Sequence, residues 1–245
     1  MLLNNNKKNI ISLSGGKDSS ALLLLMLEKN EPIHSVVTFD TGWEFPEMIE
    51  HIDKLEAYTG IKFVRLYPAK SFDYLLNKTP VIAAKGEMKG KVHRYGNGWP
   101  SMGRRWCTRR KINAIEKYYR TQDNFISCIG FAADEAKRVP IELKKKWPER
   151  YPLIEYDITE ADALKYCYSK GFTWGGLYVL FDRVSCFCCP LQRIGELRAL
   201  RKHRPELWTR MLDMDENNNR GFKGTKTVMD FEKRFSEEDR QMFLW

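Results

Sequence analysis

The chain has 245 residues, 43% hydrophobic and 30% charged, as expected of an ordinary soluble protein able to bury a full core. Its longest apolar run, Ala21 to Leu27, is too short to cross a bilayer, and the start Asn4-Asn5-Asn6-Lys7-Lys8 lacks a signal-peptide core, so a cytoplasmic protein with no membrane partner is expected. The formal net charge is +9, and nine Lys or Arg fall between Lys85 and Lys111 against Glu87 alone, which reads either as a surface for polyanions or as a solvated basic face.

The apolar run Ile10-Ile11-Ser12-Leu13 predicts a buried strand over residues 9–14. It leads through Ser14-Gly15-Gly16-Lys17-Asp18-Ser19 into a helix over 18–29. Glycines let the backbone approach an anion with no Cβ in the way, successive N–H groups point inward, and the positive end of the helix dipole adds to them. Ser14 and Ser19 add hydroxyls. The glycines are adjacent, so the spacing is not that of a Walker A loop, and the bland alternative is an ordinary strand-to-helix turn.

Further strands are expected at 35–40, 62–67 and 124–130, with helices at Pro46–Thr59 and 108–119 between them. This alternation predicts an α/β fold with a parallel, doubly wound sheet whose ligands bind at the carboxyl ends of its strands, where Ser14, Asp40 and Gly130 emerge. Residues 83–106, with five glycines and little periodicity, are expected to form a long loop. Beyond Pro140 the pattern changes. Lys144-Lys145-Lys146-Trp147-Pro148 reads as a polar break, 151–156 as a strand, Glu160–Ser169, 191–203 and 205–213 as helices, and Asn217-Asn218-Asn219 as a loop. The expected division is a nucleotide-binding α/β domain over 1–140 and a small, mostly helical lobe carrying the cysteine cluster over 141–245.

Three of six cysteines fall in Cys186-Phe187-Cys188-Cys189, a crowding that suits metal ligation better than disulfides in a reducing compartment. Cys186 and Cys189 have the two-residue gap that lets two thiolates share one metal centre. Cys107 sits beside the basic stretch. Cys128, in a predicted core strand, and Cys167, in a predicted helix, read as small buried hydrophobes. Tyr95, Trp99 and Trp106 interleave with the basic residues, a composition suited to base stacking or to core packing.

The Ser14–Ser19 string resembles the PP-loop of the N-type ATP pyrophosphatases, which cleave ATP between the α and β phosphates. Phe39-Asp40-Thr41-Gly42-Trp43-Glu44-Phe45-Pro46 and Gly130-Phe131-Ala132-Ala133-Asp134-Glu135-Ala136-Lys137-Arg138 resemble segments of the phosphoadenylylsulfate (PAPS) reductase branch of that superfamily. Arg104-Arg105-Trp106-Cys107-Thr108, paired with Cys186-Phe187-Cys188-Cys189-Pro190, is similar to members that carry an iron–sulfur cluster. The resemblance implies an adenine nucleotide alpha hydrolase-like, Rossmann-like fold. It also implies ATP held by Ser14, Gly15, Gly16, Lys17, Asp18, Ser19, Asp40, Thr41 and Gly130, with Lys17 and Asp18 catalytic and Asp18 helping to place Mg²⁺. Cys107, Cys186 and Cys189 would be ligands of a [4Fe–4S] cluster, with Cys188 as a further ligand or a catalytic sulfur carrier; Zn²⁺ on the same thiolates is the competing reading.

A PAPS reductase of this branch uses a cysteine near its C-terminus, and no cysteine follows Cys189 here. Ala132 and Ala136 stand where the family pattern often has arginine and serine. The expectation is therefore an ATP-dependent sulfurtransferase acting on nucleic acid, tRNA or DNA, gripped by Arg104, Arg105, Arg109, Arg110 and Arg138, with a cysteine desulfurase or other sulfur donor as partner. A homodimer is compatible with the sequence. A sulfonucleotide reductase and a zinc-stapled binding module without catalysis are the alternatives.

Overall fold

The computed structural model describes residues 7–140, 145–216, 218 and 220–242. The chain runs β1 (Lys8–Ser12), α1 (Lys17–Glu28), β2 (Ser35–Phe39), α2 (Pro46–Thr59), β3 (Val64–Leu66), α3 (Phe72–Asn77), β4 (Pro80–Ile82) and β5 (Val92–Tyr95). There follow α4 (Trp106–Tyr119), β6 (Phe125–Cys128), β7 (Glu149–Arg150), α5 (Pro152–Glu155), α6 (Glu160–Ser169), α7 (Leu177–Leu180), α8 (Ile194–His203), α9 (Pro205–Glu216) and α10 (Val228–Met242). Among the described residues, 3-10 turns lie at Ala133–Arg138 and Trp174–Gly176.

Five strands form one parallel sheet in the order β3-β2-β1-β6-β7. The predicted α/β parallel sheet is therefore the observed fold. Strand order reverses between β1 and β6, the switch point at which sheets of this kind open a crevice beyond their carboxyl ends. Ile10, Ile11, Val36 and Val37 are wholly buried, as strands covered on both faces require. In α1, Leu22, Leu23 and Met26 are fully buried, and each such side chain contributes roughly 1.5–3 kcal/mol relative to exposure.

The chain divides into two compact units. The first comprises 1–40, 44–67 and 112–178, and the second 41–43, 68–111 and 179–245. The parallel sheet, α1, α2 and α6 belong to the first. In the second, Trp43, Phe72 and Trp106 form an aromatic cluster with centroids 5.1–5.7 Å apart, and Trp99 packs edge-on against Phe222 at 5.0 Å. Their indole N–H groups are satisfied: Trp43 donates to Asp73 at 2.8 Å, Trp99 to Asp215 at 2.6 Å and Trp106 to the Gly98 carbonyl at 2.9 Å. Trp99 and Trp106 are thus packing residues, not stacking platforms.

Two expectations change. Residues 151–156 form the short helix α5, because Pro152 at its first turn fixes helical φ, and only Glu149–Arg150 just before it pair with β6. The expected loop over 83–106 instead contains β5, which pairs antiparallel with β4 just before the loop to form a hairpin bulged between Val81 and Ile82. Of the other expected loops, Lys144, Asn217 and Asn219 lie outside the described residues. No helix among the described residues is long and apolar enough to cross a membrane.

Candidate nucleotide cradle and thiol-lined cavity

In the first unit, residues 14–19 turn from β1 into α1 beside the switch point. Gly15 has φ +81°, and a Cβ there would meet the Met48 sulfur at 2.6 Å, so both backbone conformation and space demand glycine. Gly130 follows β6 and lies against the first turn of α1, where a Cβ would sit 2.9 Å from the Ser19 nitrogen. Gly130 thus brings the chain after β6 into backbone contact with the first turn of α1.

The loop is also braced from behind. The Trp174 indole N–H donates to the Gly15 carbonyl at 2.7 Å, and the Ser20 hydroxyl donates to the same carbonyl at 3.4 Å. His51 stacks on Trp174 at 4.2 Å and places Nε2 2.8 Å from the Ser20 hydroxyl. Burial drives the His51 pKa down to about 3, with Lys54 adding to the effect, so the ring is neutral. In front, the Ser14 N–H donates to the Ser19 hydroxyl at 3.1 Å, and the Gly16 N–H donates to the Ser14 hydroxyl at 3.4 Å.

Lys17 carries the loop's ammonium, with Nζ 2.6 Å from Glu160 and 3.0 Å from Asp18. Burial disfavours its charge, but Glu160 and Asp18 outweigh that and raise its pKa. Asp18 moves upward as well, mainly through burial and with Glu160 and Glu135 adding to it, although Lys17 opposes the shift. Asp40 follows β2 directly, its N–H donating to the Leu66 carbonyl at 2.9 Å. Ser14–Ser19, Asp40 and Gly130 therefore all belong to the unit that holds the sheet.

Thr41 belongs to the second unit. Its hydroxyl accepts the Trp43 N–H at 3.0 Å and lies 4.0 Å from the Cys186 thiol. Arg138 ion-pairs with Glu135 and lays its guanidinium 4.6 Å from the Phe131 ring centroid. A guanidinium held in this way is a poorer phosphate grip than a free one.

The second unit contains a cavity of about 260 Å³ lined by Cys107, Cys186 and Cys189 together with Arg105, Lys111 and Arg183. Local structure aims the thiols. Phe187 and Cys188 are driven inward, to 0% and 1% exposure, and the Cys189 N–H donates to the Cys186 carbonyl at 3.2 Å, so Cys186 and Cys189 flank a turn. Burial pushes the Cys189 thiol up, and Cys107 adds to this, while its bond to Leu191 and the charges of Arg183 and Arg105 pull the other way.

Cys188 does not line the cavity. Burial pushes its thiol well above the usual range, with Cys186 and Cys189 adding to the shift. Cys188, expected as a ligand or sulfur carrier, thus lies in the core, apart from the thiols that line the cavity. Among the described residues, no three His, Cys, Asp or Glu side chains are close enough together to hold a metal ion as they stand. The donor chemistry nevertheless fits a thiophilic centre: Cys107, Cys186 and Cys189 line one cavity, and thiolates are the ligands such a cation selects.

Arg104, Arg105, Arg109 and Arg110 are all exposed, and among the described residues none of the four is ion-paired. By contrast, Arg65, Arg150 and Arg201 each hold two acidic residues. Burial lowers the Arg94 pKa, and the neighbouring Arg104 charge adds to the shift.

The family model of the phosphoadenosine phosphosulfate reductase domain matches residues 8–192. The chain belongs to this family. The uncharacterized protein MJ0066 of Methanocaldococcus jannaschii is 27% identical over 192 residues, 71% of this chain and 34% of that protein. The chain thus spans about a third of the length of that curated relative. Among solved structures, PAPS reductase from Candida auris in its phosphate complex aligns with a TM-score of 0.53 at 15% identity, over 73% of this chain and 81% of that one, a likeness of fold. U34-tRNA thiolase NcsA from Methanococcus maripaludis with its [4Fe–4S] cluster aligns with a TM-score of 0.43 at 18% identity, over 96% of this chain and 74% of that one.

Of the residues that shape these sites, sequence reasoning missed Glu160, Trp174 and Tyr178. None lies in a phosphate-binding motif. The one local signal was Trp174-Gly175-Gly176, an aromatic followed by two glycines, which marks a turn but not its target.

Proposed function

We propose that this PAPS reductase domain protein binds ATP in the Ser14–Ser19 cradle, releases pyrophosphate and so activates an acceptor for sulfur transfer, with nucleic acid as the acceptor class. The observation that carries the reading is the cradle: a glycine loop at the strand-order reversal, held open by Gly15 and Gly130, with the Lys17 ammonium beside it. In the first step an acceptor oxygen attacks the α-phosphorus, the α–β bridge bond breaks, and pyrophosphate leaves with the bond's electron pair. Lys17 and the loop N–H groups neutralise charge that builds on the departing oxygens, and Asp18 supplies a carboxylate for Mg²⁺. In the second step a sulfide equivalent forms a bond to the acceptor carbon, and AMP leaves with the oxygen. No net oxidation is involved.

Cys107, Cys186 and Cys189 would hold a [4Fe–4S] cluster or Zn²⁺. The cluster, when bound, would supply a site for that sulfide, whereas zinc would only fasten the chain. Arg104, Arg105, Arg109 and Arg110, exposed and with no ion pair among the described residues, support a polyanionic acceptor. Sulfite release from PAPS is the reaction that the family match alone would favour.

Pyrophosphate release from ATP, with bulk tRNA or duplex DNA supplied as acceptor, tests the proposal. Gly16→Val is the control, because a Cβ at Gly16 would lie 3.5 Å from the Tyr178 hydroxyl, an ordinary contact that leaves the fold room while filling the space over the loop. Release by the wild type and its loss in Gly16→Val is the expected result. Equal ATP affinity in the two proteins overturns the proposal.

A further inference from the structure

Lys17 is held at three points by one stretch of chain. Its backbone N–H donates to the Tyr178 hydroxyl at 2.8 Å, its ammonium donates to Glu160 at 2.6 Å, and its carbonyl accepts from the Cys167 thiol at 3.6 Å. These three partners lie on α6 and α7 and fall in the same unit as the sheet. The first two contacts take the donors that a phosphate oxygen would use: a first-turn N–H that has no acceptor within its own helix, and the only ammonium of the loop. A hydroxyl and a carboxylate are also the groups that imitate a phosphate oxygen, one as neutral acceptor and one as anion.

We infer that Glu160 and Tyr178 belong to the nucleotide site as occupants of Lys17 that an entering phosphate must displace. This rests on the cradle's being a phosphate site. Glu160 is set for the role by the fold, since it opens α6 directly after the capping residue Thr159 and its own N–H donates to Asp134 at 3.1 Å. Its side chain is 43% exposed, so on release it regains water, whereas Lys17, at 12%, depends on an anionic partner. Tyr178 stands across Gly16, so a phosphate seated on the loop and the tyrosine hydroxyl compete for one N–H. The segment keeps the cradle satisfied when no nucleotide is present, and an entering phosphate displaces the Glu160 carboxylate and the Tyr178 hydroxyl from Lys17.

The sign of the effect separates this role from an ordinary binding contact. Inorganic pyrophosphate without Mg²⁺, and ATP with Mg²⁺, are titrated calorimetrically into the wild type, Glu160→Gln, Tyr178→Phe and the double variant. Each single variant is expected to bind pyrophosphate about 3- to 10-fold more tightly, the range that follows from releasing one competing hydrogen bond. The Lys17 amide resonance is expected to shift in unliganded Tyr178→Phe. If the wild type binds and both variants bind equally or more weakly, Glu160 and Tyr178 are ordinary contacts and the inference falls while the phosphate site stands. If neither the wild type nor the double variant binds pyrophosphate or ATP, both fall. Thermal melts establish that each variant is folded.

Discussion

Trp174 donates its indole N–H to the Gly15 carbonyl at 2.7 Å, reaching back 159 residues along the chain to fix one peptide of the phosphate loop. That peptide must turn its carbonyl away from the cradle so that the loop's N–H groups face inward. Trp174→Phe keeps an aromatic ring against His51 but removes the donor. Losing a buried hydrogen bond costs about 1–3 kcal/mol, and the Ser20 bond to the same carbonyl is the weaker of the two. The expected outcome is an ATP affinity reduced about 5-fold or more with the secondary structure intact, read by calorimetry and circular dichroism. Unchanged affinity would mean that Gly15 alone sets the loop.

His51 makes stability depend on pH. Its pKa is about 3 folded against 6.5 in the ordinary state, so the unfolded chain binds the extra proton between those values. Its contribution is therefore complete above pH 6.5 and is lost as pH falls toward 3, at up to about 1.4 kcal/mol per pH unit. Denaturant melts between about pH 6.5 and 5, above the carboxylate range, should show that slope. His51→Gln, which keeps a polar partner for Ser20, should flatten it.

Cys107, Cys186 and Cys189 share a cavity wall while Cys188 points into the core, which divides four substitutions into two classes. Alanine at any of the first three should lower metal content after anaerobic loading with iron and sulfide or with zinc. Cys188→Ala should keep the stoichiometry and lose stability through the cavity it creates. A broad absorption near ~400 nm in the loaded protein would assign iron–sulfur, and its absence with bound zinc would assign the structural alternative. Full metal content in all three outward variants would remove the centre.

Arg104, Arg105, Arg109 and Arg110 should govern the salt dependence of nucleic-acid binding. Every phosphate that is no longer neutralised by an arginine reduces the slope of log K against log salt by about 0.9 on duplex DNA and about 0.7 on single strands. Replacing all four by glutamine should therefore flatten the slope by roughly 3 to 4 units. A slope indifferent to these arginines would point to a small-molecule acceptor.

What the sequence alone determined was local or periodic. Strand runs such as Ile10-Ile11 and Val36-Val37, followed by helices with buried faces, specify a parallel sheet because only crossovers can join such strands. Pro46–Thr59 and Glu160–Ser169 are also the observed bounds of α2 and α6, and in the structure Pro46 occupies the first turn of one while the Thr159–Asp162 capping box opens the other. The Ser14–Ser19 loop was legible because two adjacent glycines between strand and helix have few other uses. The hairpin β4–β5 was not, because its strands are short, glycine-flanked and exposed, with no buried face to impose alternation.

Tertiary structure decided which side chains meet. Cys186 and Cys188 look alike in sequence, but Phe187 at 0% exposure and Cys188 at 1% anchor that turn inward, so only the flanking thiols share a cavity with Cys107. Thr41 reads as a neighbour of Asp40, yet the Trp43 N–H draws its hydroxyl to the cysteine segment. Lys17 reads as a free ammonium awaiting phosphate; Glu160 and Tyr178, 143 and 161 residues away in the chain, already hold it. Spacing fixes what neighbours in the chain can do. Partners this distant are fixed only when packing closes the loop between them, and no local pattern encodes that choice.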